Sequence, residues 1–331
     1  MILRSLFPNQ VYGDIIFDLI FLCASSYAFF LLNFHPTVWL FIGLFFVRLY
    51  FDVLEYFIFQ RPEKFRKQSL QLSGWESQII NVKSYNIQYH VKQGHKDKPL
   101  IFFLHGWRSS SGRMNNRIQQ FLDLDWSICT ADLPNHGGSD AVNKWSAEFS
   151  TTCIIEILKS IDASQRYKQL VIYGHSIGAF ITIRLCKRKN EWLNNMDLEA
   201  LILESPMTKY SYILDRTYRF LNVPKFLQPV LNRRIFSTVN RLHTVLTNFN
   251  SIQEADIPLW GMPICPVLVV QAETDTQLGL FHYNDLLIEL KKSPLIEAES
   301  HLVSTLSHSG GDDNVERSTL IENYMKKLKL C

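Results

Sequence analysis

The stretch Leu170-Val171-Ile172-Tyr173-Gly174-His175-Ser176-Ile177-Gly178-Ala179-Phe180-Ile181-Thr182-Ile183-Arg184-Leu185 decides how this chain reads. Leu170 to Tyr173 form an apolar run of strand length, and Ala179 to Leu185 suit a helix. Between them stands Gly-x-Ser-x-Gly. Strand, sharp turn and helix in that order are the context in which this pattern lifts a serine hydroxyl clear of a sheet. Gly174 and Gly178 let the strand and helix backbones pass closely without Cβ clashes. The same five residues also suit an ordinary turn whose serine caps the helix, so the surrounding sequence has to separate the two.

On either side, short apolar strands alternate with helical stretches. Ile79 to Val91 suits an antiparallel edge pair. Pro99 to Leu104, Trp126 to Ala131, Leu170 to Tyr173, Ala200 to Leu203, Val267 to Val270 and Leu295-Ile296 read as strands. The continuous apolar runs among them suit strands buried on both faces. Helices are expected near Ser111 to Leu122, Ala147 to Ile161, Ser176 to Lys187, Tyr283 to Lys291 and Glu316 to Leu328. This alternation predicts an α/β fold, a parallel sheet with helices on both faces, and ligands bound at the carboxyl ends of the strands. Lys209 to Asn250 interrupts the pattern with aromatics and with Arg216, Arg219, Lys225, Arg233, Arg234 and Arg241. It reads as a helical insertion, and a long connection of this kind is expected to serve as a lid that shapes a substrate pocket.

The chain has 331 residues, a hydrophobic fraction of 47% and a formal net charge of +3. That length allows one large α/β domain with an appendage. No basic stripe with interleaved aromatics is present, so no nucleic-acid partner is expected. Cys23, Cys129, Cys153, Cys186, Cys265 and Cys331 lack framework spacing and read as free thiols of a reducing compartment. No His/Cys cluster has zinc spacing. Neither a dinucleotide fingerprint nor a phosphate-binding loop occurs, so no cofactor and no metal are implied.

Apolar residues concentrate near the amino terminus. Ile15 to Phe34 has about the length of a bilayer-spanning helix, and Asn33-Phe34-His35-Pro36 breaks it. A second run, Thr37 to Phe59, carries Arg48, Asp52 and Glu55 in its second half, on one helix face where they can pair. Two spans joined by a tight uncharged turn predict a transmembrane helical hairpin. A single span followed by an interfacial helix is the alternative. Arg4 before the hairpin and Arg61, Lys64, Arg66 and Lys67 after it would place both ends, and the domain that follows, in the cytoplasm. The lipid bilayer is then the expected partner. The expected organisation is a membrane anchor at 1–60, a basic juxtamembrane linker at 61–74 and an α/β domain at 75–331, with the insertion at 209–250.

A serine hydroxyl is a weak nucleophile and needs an adjacent base oriented by a carboxylate. Folds with this turn supply them in the order Ser, Asp or Glu, His. The strand Pro266 to Gln271 runs into Ala272-Glu273-Thr274-Asp275, and the strand-like Pro294 to Ala298 runs into Glu299-Ser300-His301. Ser176, Asp275 and His301 are therefore the expected triad. Glu204 competes for the acid's place and Glu273 reads as solvated. His308 competes for the base's place from a segment with Ser307, Ser309, Gly310 and Gly311, which reads as loop. His301 is preferred because its strand fixes it better. His175 reads as packing beside the turn, and His136 and His243 are weak candidates. An oxyanion hole needs two backbone N–H groups. Ile177 supplies one, and Trp107, in the loop Leu104-His105-Gly106-Trp107-Arg108, supplies the other. His105 and Gly106 shape that turn.

Leu104-His105-Gly106-Trp107, Asp132-Leu133-Pro134-Asn135-His136-Gly137-Gly138-Ser139, Gly174 to Gly178, Ala272 to Asp275 and Ser300-His301 together resemble the α/β-hydrolase superfamily. Within it the pattern is similar to the branch of lysophospholipases, monoacylglycerol lipases and carboxylesterases. The resemblance covers about residues 75–330. It implies hydrolysis of a small-molecule or lipid acyl ester by a serine nucleophile without metal or cofactor. Thioesterase or peptidase chemistry, or a non-catalytic scaffold, would use the same frame. A serine nucleophile differs from the aspartate that the resemblance implies for epoxide-hydrolase branches. Asn135 and Ala272 stand where the family often has glycine.

Overall fold

A computed structural model of the chain describes residues 36–58, 67–142, 145–242, 249–293, 295–309 and 313–330, with positions 19, 20, 22, 23 and 27. The expected first membrane span, residues 15–34, lies almost wholly outside them. The chain divides into two compact units. One comprises Arg61–Tyr212 and Phe249–Cys331, the other Met1–Gln60 and Ile213–Asn248.

The first unit is built on an eight-stranded sheet: β1 (Glu76–Val82), β2 (Tyr85–Lys92), β3 (Leu100–Leu104), β4 (Ser127–Ala131), β5 (Gln169–His175), β6 (Asp197–Glu204), β7 (Val267–Ala272) and β8 (Ala298–Val303). Their order across the sheet is β1-β2-β4-β3-β5-β6-β7-β8. β1 pairs antiparallel with β2, and β2 with β4; the remaining neighbours are parallel. The β1–β2 hairpin closes through Lys83 (φ 49°) and Ser84 (φ 70°), the left-handed pair that lets a two-residue turn follow strand twist. β3, β4 and β7 are buried along their whole length, which is why none alternates polar and apolar residues; β3 is apolar throughout, and Ser127 and Thr130 of β4 and Gln271 of β7 are buried too.

The α-helices are α1 (Pro36–Ile58), before the first strand, and then α2 (Asn115–Asp123), α3 (Ala147–Ala163), α4 (Ile177–Lys187), α5 (Tyr210–Phe220), α6 (Gln228–Leu242), α7 (Phe281–Lys291) and α8 (Val315–Lys327). The Ser146 hydroxyl accepts from Phe149 N–H at the start of α3, and Asn314 Oδ1 accepts from Arg317 N–H at the start of α8. Both satisfy donors that a helix start leaves open. Strand, turn and helix at Leu170 to Leu185 fall where the sequence puts them.

The last strand differs. The expected strand at 294–298 is placed too early: Leu295 is fully exposed, and the ladder with β7 runs from Ala298 to Val303. The apolar pair Leu295-Ile296 draws the strand reading early, while β8 itself carries the polar run Glu299-Ser300-His301 after Ala298 and no alternating pattern.

The second unit brings α1 and α6 together. Asp52 and Glu55 both pair with the Arg234 guanidinium, Glu55 at 3.5 Å, and Thr238 donates to Glu55 at 2.7 Å. Arg48 pairs with Asp52 at 3.6 Å. The Arg234 guanidinium also lies 5.6 Å from the centre of the Phe51 ring. The insertion therefore forms a unit with the amino-terminal helix, whereas the sequence groups it with the α/β domain. Trp39, Leu40, Phe41, Leu44, Phe46 and Val47 of α1 are exposed. Among the described residues no helix is long and apolar enough to cross a membrane.

Candidate active site

Ser176 follows directly on β5 and precedes the first residue of α4. It adopts φ 55° and ψ −116°, a conformation costly for a residue with a side chain and held only where the surroundings over-determine it. The neighbouring glycines show what over-determines it. A Cβ on Gly178 would lie 2.2 Å from Leu104 O and 2.8 Å from His105 O; one on Gly174 would lie 2.6 Å from the Ala179 Cα. The start of α4 is thus pressed against the end of β3 and its loop, and the serine is forced outward between them.

Ser176, Asp275 and His308 form one hydrogen-bonded line. His308 Nε2 stands 3.0 Å from Ser176 Oγ, and His308 Nδ1 stands 2.7 Å from Asp275 Oδ2. All three side chains are buried. The Asp275 carboxylate has further donors: Gln271 Nε2 to Oδ2, and the Gln277 and Leu278 N–H groups to Oδ1. Burial would raise its pKa, but His308 and these donors outweigh it and hold the value at about 2. The carboxylate is therefore charged at neutral pH and aimed at the imidazole.

Of the expected triad, the structure brings Ser176 and Asp275 together and leaves His301 out. This corrects the sequence reading of the base. His301 lies inside β8, paired in register with Val270, and its Nε2 meets Glu299 Oε1 at 2.8 Å. Residues two apart on a strand share a face, so the pairing with Glu299 follows from the strand itself. His308 sits in the loop after β8, which the sequence marked as irregular. The signal that finds it is positional: with β8 running to Val303, the strand-end loop contains His308.

The competing acid, Glu204, ends β6 and serves elsewhere. It is fully buried and bonded by Arg117, through Nε at 2.9 Å and through Nη2, and by Tyr173 Oη. Arg317 lies 3.8 Å away. Burial opposes its ionisation, yet Arg117 above all lowers its pKa to about 2.

The loop after β3 carries His105, Gly106 and Trp107. His105 Nε2 accepts from Leu133 N–H at 3.0 Å, which leaves the proton on Nδ1 to donate to Gly106 O at 2.8 Å. The ring thus ties the β3 and β4 loops together. Burial lowers its pKa, in keeping with a neutral structural imidazole. His136 does the same for Arg108, accepting its N–H at 3.1 Å. Trp107 is partly exposed and stacks edge-on against Trp145, ring centres 4.6 Å apart. Ile177 opens α4 beside this loop. Asn135 takes φ 69°, a left-handed conformation that asparagine tolerates in place of glycine. Among the described residues no group of His, Cys, Asp and Glu is arranged to hold a metal ion.

Residues 95–256 match the family described as "Serine aminopeptidase, S33". Epoxide hydrolase 4 of Mus musculus is 24% identical over 174 residues, 50% of this chain and 47% of that protein. The lysophosphatidylserine lipase ABHD12 of Danio rerio is 26% identical over 204 residues, 58% of this chain and 48% of its own. The chain spans about half the length of these curated relatives. The Pyrococcus furiosus esterase Pf2001 superposes with a TM-score of 0.56 at 15% identity, covering 79% of this chain and 95% of that one. With a strained serine displayed between β5 and α4 on this mostly parallel sheet, the chain has the α/β-hydrolase fold.

Proposed function

We propose that this chain is a membrane-attached serine hydrolase that cleaves a lipid-like acyl ester through an acyl-enzyme. The unbroken line Ser176 Oγ, His308 Nε2, His308 Nδ1, Asp275 Oδ2 carries the reading. His308 takes the Ser176 proton as the oxygen attacks the ester carbonyl, and Asp275 holds the imidazolium. The N–H groups of Ile177 and Trp107 receive the negative charge that develops on the carbonyl oxygen. Collapse expels the alcohol, protonated by His308. A water then attacks the acyl-serine with His308 again as base, releasing the acid and restoring Ser176.

Attachment to the bilayer is supported by the apolar run at 15–34 and by the exposed apolar residues of α1. The basic residues around them, Arg4, Arg61, Lys64, Arg66 and Lys67, support a cytoplasmic hydrolase domain. A lipid-like ester is the substrate class that location would present, and one relative is named a lipase.

A fluorophosphonate probe tests the chemistry. Full-length protein is expected to label at Ser176, and Ser176→Ala to lose the label and ester hydrolysis together; unlabelled wild type would remove the reading. Carbonate extraction of cell membranes tests attachment, with recovery in the soluble fraction as the contrary result. The match to a family described as an aminopeptidase favours one rival, a peptidase using the same residues. Faster turnover of aminoacyl amides than of medium-chain esters would select it.

A further inference from the structure

We propose that His175, the residue before the nucleophile, is a positioning residue that holds the backbone of His308 and so sets the base against Ser176. The inference rests on the serine-hydrolase reading. His308 belongs to the irregular segment between β8 and α8, where neither a ladder nor a helix fixes the chain. Its carbonyl lies 2.7 Å from His175 Nε2. A carbonyl can only accept, so His175 carries its proton on Nε2. Nδ1 is then bare and faces Gly106, where a Cβ would stand 2.8 Å away. The missing side chain at Gly106 makes room for the ring.

Ser176 and His175 are adjacent residues at the end of β5, a strand hydrogen-bonded on both sides. One rigid element therefore places the nucleophile directly and the base through its carbonyl. Charge matters as well as reach. The two imidazoles are 5.4 Å apart between ring centres, so a cation at 175 would oppose the imidazolium that forms on His308. Burial, and after it the Arg117 charge, lowers the His175 pKa to about 3, against Glu204 and the carbonyl bond, which act the other way. The clamp is neutral at working pH. The other charged and titratable groups around the pair are Asp275 after β7, His282 on α7, and Arg117, Glu204 and Arg317 on α2, β6 and α8.

Two substitutions isolate the bond. His175→Phe keeps a ring without a donor, and His175→Gln keeps an N–H near the Nε2 position. With wild type confirmed to label at Ser176, His175→Phe is expected to lose about 10- to 100-fold in kcat on a medium-chain ester, the scale of a displaced catalytic group. KM should stay within about twofold, because no substrate contact is lost. The acid limb of kcat/KM, which reports the free enzyme's base, should move in His175→Phe and return in His175→Gln. His175→Phe within about twofold of wild type with an unmoved acid limb, or His175→Gln as impaired as His175→Phe, would overturn the clamp while leaving the hydrolase reading intact. Wild type that does not label would overturn both. Nitrogen-15 spectra of histidine-labelled wild type give a readout independent of variant folding: near neutral pH His175 is expected as the Nε2-protonated neutral tautomer, and Nδ1 protonation would overturn the proposal.

Discussion

His301 and His308 compete for one role, and a pair of single substitutions separates them. His308→Ala removes the group within reach of Ser176 Oγ and is expected to lower kcat by about 10⁴-fold or more, as loss of a triad member does. His301→Ala removes only a partner of Glu299 on the face of β8 and should leave kcat/KM within about threefold. Equal losses in the two, measured by ester hydrolysis and rate of fluorophosphonate labelling, would defeat the assignment. The contrast shows which parts of the site the sequence carries. Ser176 is legible because its strain needs small neighbours: the contacts a Cβ would make at Gly174 and Gly178 are written directly as residue types. Asp275 is legible because an apolar strand runs straight into it. His308 is not, because its place depends on where β8 ends and how the following loop folds back. The hold of His175 on that loop joins residues 133 positions apart, and no local pattern encodes it.

At the level of elements, the charges of α1 were visible in the sequence but their partner was not. Arg48, Asp52 and Glu55 read as a self-paired face. In the structure Arg234 of α6 lies between the two carboxylates and Thr238 bonds one of them. An arginine in an insertion looks like any other surface cation until the helices meet. Arg234→Ala would remove the guanidinium from between Asp52 and Glu55, whose side chains are 10% and 12% exposed, with Arg48 still 3.6 Å from Asp52 and Thr238 still bonded to Glu55. Losing one partner of a well-buried pair costs about 3–5 kcal/mol. Arg234 is one-third exposed, so screening reduces the expected loss to about 1–2 kcal/mol. The expected readout is faster limited proteolysis within 213–248, with Arg234→Lys intermediate. Cleavage of Arg234→Ala at the wild-type rate would mean that this contact does not hold α6 to α1.

Across the whole molecule, two histidines and two carboxylates buried in the sheet unit pull its acid response one way, against Asp256, whose burial raises its pKa. Burial keeps His175 neutral, with its pKa at about 3 against an ordinary 6.5, and His282 likewise at about 4. Glu204 and Asp275 are both held at about 2, against ordinary values of 4.5 and 3.8. In all four cases the folded state binds protons less readily than the unfolded chain. Through these four groups stability falls as pH drops through the acid range, because unfolding takes protons up there. The order of loss follows from the values. The two histidines act first: below pH 6.5 the unfolded chain protonates them while the folded protein does not. The carboxylates act later, as pH falls below about 4.5 and on towards 2. At pH 5 the two histidines alone call for an uptake of about two protons on unfolding, a slope of about 2.7 kcal/mol per pH unit. Chemical denaturation at closely spaced pH values measures that slope. His175→Gln should lower the uptake near pH 5 by about one proton, and an unchanged slope would show that His175 is not held neutral. Glu204→Gln tests the second stage. It leaves Arg117 and Arg317 facing a neutral amide in a fully buried site, so it should cost about 3–5 kcal/mol at neutral pH while flattening the pH dependence below about 4.5. A variant as stable as wild type at pH 7, or one that loses stability below pH 4.5 as steeply as wild type, would show that the Arg117–Glu204–Arg317 cluster does not carry the acid response.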